Sequence, residues 1–353
     1  MPLMALGILA LLAGLWGGLL RLGWPLPPLG TSIAGFHGPL MVSGFLGTVI
    51  GMERAVALGA RWGFAAPLLT GLGALVLVAG VPGAIGPLLM TAGSATVCGI
   101  FVCILRRQWA VFTVVMAAGA AAWLAGQLLW LFGWPIHRVV FWWAGFIVLT
   151  IAGERLELAR LVRRSAAGHV AFLLGAGLFV VGVSLTTIGL DAGVRVVGAG
   201  AIALTLWLAR HDVARRTIRQ PGLPRFIAIC LLSGYGWLGV SGVLALVSGD
   251  VAGGPRYDAV LHALFLGFAF AMIFGHAPII FPAVLGWPVS FRPAFYGHLV
   301  LLHLSLCLRV AGDLVPSLPA RQWGGLLNAV TLLLFFFNTG YSILNPARSR
   351  SPE

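Results

Sequence analysis

Long apolar runs alternate with short polar breaks along the whole chain. A bilayer span needs about 20 predominantly apolar residues, and twelve runs approach or exceed that length. They fall at 4–20, 35–57, 63–80, 84–105, 111–131, 138–161, 169–189, 194–208, 226–247, 259–285, 293–312 and 323–344. The eighth run is short and the tenth is long. The breaks hold Arg, Gly and Pro, which end helices or favour water. The pattern predicts an all-α polytopic membrane protein of twelve transmembrane helices, forming one integral membrane domain over residues 1–353. The longest break, 210–225, is basic and contains two prolines, so it reads as an exposed connector. No positive charge precedes the first run, and no small-residue cleavage site follows before Arg21 and Trp24. A retained span is therefore expected there rather than a cleaved signal.

Composition adds orientation. Hydrophobic residues make up 60% of the chain and charged residues 9%. All 22 basic residues are arginine. Sixteen fall in breaks after even-numbered runs or at the C-terminus. Six (Arg21, Arg138, Arg195, Arg256, Arg309 and Arg321) fall on the other side. The positive-inside rule then places both termini in the cytoplasm of a bacterial-type inner membrane. The basic excess is spread over short loops rather than gathered on a soluble face, so it gives no support to nucleic-acid binding. Cys98, Cys103, Cys230 and Cys307 all lie in spans without a Cys-x-x-Cys, and read as buried small hydrophobes. The tryptophans near span ends read as interfacial belts.

Histidine placement is the chemical signal. His37, His137 and His262 open the second, sixth and tenth runs, four helices apart each time. An ionisable side chain in a bilayer helix is costly and marks a functional site by default. The second and sixth runs also end alike, in Glu53-Arg54 and Glu154-Arg155, while the tenth reaches His276. Three pseudo-repeats of four helices are expected, at about 1–107, 108–220 and 225–344. The Glu-Arg pairs read as cross-helix ion pairs, or less simply as a proton entry route. At about 1.5 Å per residue, the three histidines share one depth. Fourteen residues separate His262 from His276, and fourteen steps of about 100° return to the same helix face some 21 Å deeper. His298 enters the eleventh run near the depth of His276, and His303 lies near its midplane. Pro278 and Pro282 follow His276 and favour a kink with a freed carbonyl.

Twelve helices in arcs of four, with histidines on helices two, six and ten, resemble the catalytic subunit of haem–copper oxidases and nitric oxide reductases. The segments Phe36-His37-Gly38-Pro39-Leu40-Met41-Val42 and His262-Ala263-Leu264-Phe265-Leu266-Gly267-Phe268 also resemble NnrS-type membrane proteins, which bind haem and copper and are linked to nitric oxide stress. The resemblance implies a haem b between His37 and His262, with His137 at the position of one oxidase copper ligand. Helix seven lacks the adjacent histidine pair that completes the oxidase copper site, so a conventional oxygen-reducing centre is not expected. The His262–His276 spacing resembles the cytochrome b bundle, which implies a second haem held by His276 with His298 or His303. Arg138 and Arg256, near the outer histidines, are candidate partners for haem propionates. These assignments imply electron transfer or the handling of a small gas such as nitric oxide, with a quinol or cytochrome as redox donor and the bilayer as surroundings. The rival classes are a twelve-helix secondary transporter of a small solute and a haem or copper assembly factor. The transporter fold repeats every six helices, whereas the marked residues here recur every four.

Overall fold

The computed structural model describes residues 2–27, 33–159, 165–250 and 252–345. Twelve helices among them are long and apolar enough to span a membrane, so the chain is an integral membrane protein. They are α1 (Pro2–Arg21), α2 (His37–Leu58), α3 (Arg61–Val78), α4 (Ile85–Arg107), α5 (Val111–Leu131), α6 (Ile136–Leu158), α7 (Ala166–Leu185), α8 (Leu190–His211), α9 (Leu223–Ser248), α10 (Gly254–Val284), α11 (Phe295–Leu314) and α12 (Leu318–Leu344). The expected eighth span is not short: α8 also takes in Asp191 and Arg210, whose charges had trimmed the apolar run. The sixth span was expected to run to 161. Residues 160–164 lie outside the described set, as do Arg348 and Arg350.

Burial has a period of four along the chain. The spans of α2, α6 and α10 are 67%, 72% and 67% buried inside the bundle, against 39–50% for the other nine. These three helices form the protein-lined centre, and the rest face lipid on one side. The order closes on itself where α12 packs against α1. There Trp24 meets Trp323 edge-on at 5.5 Å, and the Gln322 amide donates to the Leu22 carbonyl at 2.9 Å.

In lipid there is little hydrophobic gain from helix association, so close packing carries it. The α7–α8 contact shows how close. A Cβ on Gly200 would stand 2.6 Å from Phe179 Cα. Only glycine lets the two backbones approach this far.

Polar bonds tie the end of the bundle where α2 and α6 finish. Arg54 bonds Glu53 on its own helix at 2.8 Å and Glu154 on α6. Arg155 turns the other way and grips Asp212 through two bonds of 2.7 and 3.1 Å. Asp212 also accepts from the Tyr235 hydroxyl at 3.0 Å and the Ala214 backbone amide at 2.7 Å. The 210–225 connector is therefore not simply exposed. Asp212 and Ala214 are buried, and a helical turn at Ala214–Thr217 tucks them under the bundle. The repeated Glu-Arg pair does supply a cross-helix bridge, but Arg155 uses a loop carboxylate. Of the four cysteines only Cys230 is buried; Cys98 and Cys103 are half-buried and Cys307 is exposed.

Two outcomes follow for stability in detergent. Asp212→Ala leaves the Arg155 charge buried and unpaired, and should cost about 3–5 kcal/mol, read as a lower melting temperature. Gly200→Leu should also lower it, because overpacking typically costs about 1–3 kcal/mol. Gly177→Leu on α7, where an added Cβ meets nothing within 4 Å, should leave it unchanged.

Candidate functional site

His37 and His262 come together at the end of the bundle where α2, α6 and α10 begin. Their ring centres are 6.2 Å apart and their planes differ by 21°. His37 Nδ1 bonds the Gly14 carbonyl on α1 at 2.6 Å, and His262 Nδ1 bonds the Asp258 carbonyl at 2.9 Å. The hydrogen bond made by one ring nitrogen fixes which nitrogen can coordinate a metal. Here Nδ1 donates to a carbonyl in both rings, so Nε2 is the coordinating atom in both.

The local backbone is unusual on both helices. Leu40–Leu46 on α2 and Ala263–Phe270 on α10 are π-helical, each following its histidine closely. Short π segments inside α-helices recur at functional sites. The two segments that resemble NnrS-type proteins overlap these two stretches. Eight residues beyond each histidine comes a phenylalanine, Phe45 or Phe270. Their rings stack at 5.7 Å with planes 11° apart. The two helices thus present a matched pair of imidazoles and, deeper, a matched pair of phenyl rings.

A cavity of about 430 Å³ lies beside the imidazoles, within the range of cofactor pockets. Its walls include Gly18, Gly35, Gly38, Gly253, Gly254 and Gly325. At Gly18 a Cβ would sit 2.9 Å from His37 Cε1 and Nδ1, so the ring lies flush against the α1 backbone. Phe270 lines the cavity from below and His137 from the side of α6. The Asn328 side-chain oxygen is buried there with no hydrogen-bond partner.

The cationic lining differs from expectation. Arg21, Arg309 and Arg321 line the cavity, whereas Arg138 and Arg256 do not. Arg138 lies over the Trp134 ring at 5.9 Å, and Arg256 is exposed in the first turn of α10. Arg309 bonds Asp258 at 2.8 and 3.1 Å, and Arg321 bonds Asp313 at 2.6 Å. The sequence offered a signal for this trio. All three belong to the minority set of arginines on the histidine side of the spans.

The remaining histidines are engaged elsewhere. His276 Nδ1 bonds the Met272 carbonyl at 2.7 Å, and its Nε2 stands 3.4 Å from the Arg155 guanidinium. The equal-face arithmetic for His262 and His276 assumed an unbroken α-helix. The π segment between them changes both turn angle and rise. His298 is fully buried among Phe226, Phe274, Phe295 and Phe335, with Nδ1 3.1 Å from the Asn338 amide. His303 has both nitrogens occupied, by Trp237 Nε1 and the Ser233 hydroxyl, each at 3.0 Å. Among the described residues no three His, Cys, Asp or Glu side chains group as a metal site, and that includes His137 with its neighbours.

Chemically, this leaves two imidazoles with ring centres 6.2 Å apart, a cavity beside them partly lined by glycines, and three arginines in its lining. No curated protein matches the chain closely enough to count as a relative. A family model described as a domain of unknown function, DUF8744, matches residues 1–342, and the chain belongs to that family.

Proposed function

We propose that this protein binds one b-type haem between His37 and His262 and serves in small-gas handling or electron transfer at the membrane. The carrying observation is the ring separation. A metal–imidazole bond is about 2.0–2.1 Å, and the ring centre lies roughly 1.1 Å behind its nitrogen, so imidazoles sharing one ion have centres roughly 6.2–6.4 Å apart. The pair here is at 6.2 Å. The cavity beside it is walled by glycines, as a flat macrocycle requires. Arg21 and Arg321 would meet the two propionates, since guanidinium pairs well with carboxylate, while Arg309 is held by Asp258. The Asn328 oxygen, orphaned and buried in the same cavity, supports an occupant with polar groups. Non-covalent attachment follows from the absence of a Cys-x-x-Cys-His sequence. The haem would supply one-electron chemistry and a coordination site for a diatomic gas. The haem–copper oxidase-like and NnrS-like resemblance agrees with this reading. The copper and second-haem assignments gain nothing from the geometry and are not part of the proposal.

The arginine bias supports the orientation. In the sequence sixteen arginines follow even-numbered spans or lie at the C-terminus and six fall on the other side, a split that by the positive-inside rule supports cytoplasmic termini and a haem near the outer surface.

Protein purified from haem-replete cells should show a Soret band. His262→Ala should abolish that band, and His37→Ala should convert it. His211→Ala, remote from the cavity, should leave it intact. Gly18→Val should lower haem content by driving a side chain into the His37 ring. A haem-free wild type sinks the proposal. Separately, a cytoplasm-dependent reporter fused after Glu353 should be active. Activity only from a periplasm-dependent reporter refutes the orientation.

A further inference from the structure

The two facing imidazoles are held by unequal means. His37 is the first residue of α2, entered through the turn at 33–36, and its tether is a neutral carbonyl on another helix, Gly14 O at 2.6 Å. His262 lies two turns inside the 31-residue α10. Its Nδ1 faces the Asp258 carbonyl at 2.9 Å and also the Asp258 carboxylate oxygen Oδ1 at 3.2 Å. That carboxylate is gripped by Arg309 through Nε and Nη2. Arg309 itself is 8% exposed, so solvent does little to loosen the grip.

Building on the haem reading, we infer that the two ligands differ in role. Asp258, aimed by Arg309, makes His262 the permanent ligand. His37 is the exchangeable one, which gives way to a small neutral diatomic molecule.

The reason is the carboxylate. The Asp258 carboxylate, 3.2 Å from the Nδ1–H that its own carbonyl accepts, sets a negative charge beside the ligand imidazole, which raises the basicity of Nε2 more than a peptide carbonyl alone does. It also favours the more oxidised, more positive metal. Arg309 offsets part of that charge, so its larger contribution is orientation. Asp258 and Arg309 are therefore positioning residues. The exchange moves no electron and no proton: the Nε2 lone pair of His37 is replaced by a lone pair of the incoming ligand. Size is limited because only the volume vacated by one imidazole opens. His137 lines the same cavity beside the start of α2, where a Cβ on Gly38 would lie 3.8 Å from Ile136 Cγ2. It makes no hydrogen bond to a described residue, which leaves an N–H for a diatomic bound on the His37 side.

The test uses the full-length, haem-loaded protein and carbon monoxide as the probe. In the reduced wild type, the association rate should saturate with carbon monoxide concentration, because departure of His37 becomes limiting. His37→Gly should keep its haem and bind carbon monoxide at a rate linear in concentration. Added imidazole should return its spectrum to that of the wild type. His262→Gly should lose haem to an apo-globin acceptor. Asp258→Asn should raise the reduction potential and weaken haem retention by about 10–100-fold, and Asp258→Glu should recover part of both. Asp258→Asn leaves Arg309 without its partner, so the double variant Asp258→Asn, Arg309→Met provides the same readouts in a fold without that buried charge. Equal haem retention in the two histidine variants overturns the inference, as does the reverse order. An unchanged potential in both Asp258 variants also overturns it. A wild type without haem overturns instead the reading on which the inference rests, so the two failures are distinguishable.

Discussion

Inside a hydrocarbon layer no water reaches an unpaired polar group, so every imidazole, carboxylate and guanidinium in this bundle must find its partner in protein. That constraint organises the molecule. It favours placing the buried ion pairs and the cavity histidines on α2, α6 and α10, the three helices most buried in the bundle, and on the elements that meet them. It also explains why both cavity imidazoles spend Nδ1 on a carbonyl. The bond satisfies the group and, as a by-product, commits Nε2 to the cavity. The Gly14 carbonyl that serves His37 is a helical one and already accepts along α1. Using its second lone pair costs no backbone bond.

The two ends of the central helices use the constraint in opposite ways. Where α2 and α6 finish, Arg54 and Arg155 are paired with Glu53, Glu154 and Asp212, and Tyr235 and a backbone amide complete the Asp212 carboxylate's set. Such a network closes space. At the histidine end, Arg309 and Arg321 are paired too, yet a cavity of about 430 Å³ remains with a buried amide oxygen unsatisfied. Open volume persists there because glycines line it, and because the π-helical turns after His37 and His262 spread their backbones. Between the ends, Phe45, Phe270, Phe274 and Phe335 stack in sequence, each ring 4.5–6.4 Å from the next, and fill the centre.

Much of this was legible from the chain. Twelve apolar runs gave twelve spans, because hydrocarbon thickness sets helix length whatever the packing. The pairing of His37 with His262 was readable from shared depth, since depth depends only on distance from a span end. What failed was arithmetic that needs a regular helix. The His262–His276 face relation assumed 100° steps through a stretch that is π-helical. The cavity arginines were also missed. Arg309 lies within a span and Arg321 one turn inside the next, so both read as loop charges, while Arg138 and Arg256 were nearer to histidines in sequence. Asp212 was lost in a basic connector, because nothing local says that a loop carboxylate will be buried by an arginine 57 residues away.

A site at one end of the central helices has a consequence for any chemistry it performs. With the far half of the core filled by stacked phenyl rings and closed by ion pairs, a haem at His37 and His262 meets water and partners from one surface only. Of the histidines that sequence spacing offered as a second stop, His276 has Nε2 against Arg155, and His298 has Nδ1 against Asn338 with its Nε2 unpaired within a box of aromatic rings. A haem at this end would exchange electrons or a gas with one side of the membrane, and the bilayer itself, in which small neutral gases dissolve readily, would be the other route to the cavity.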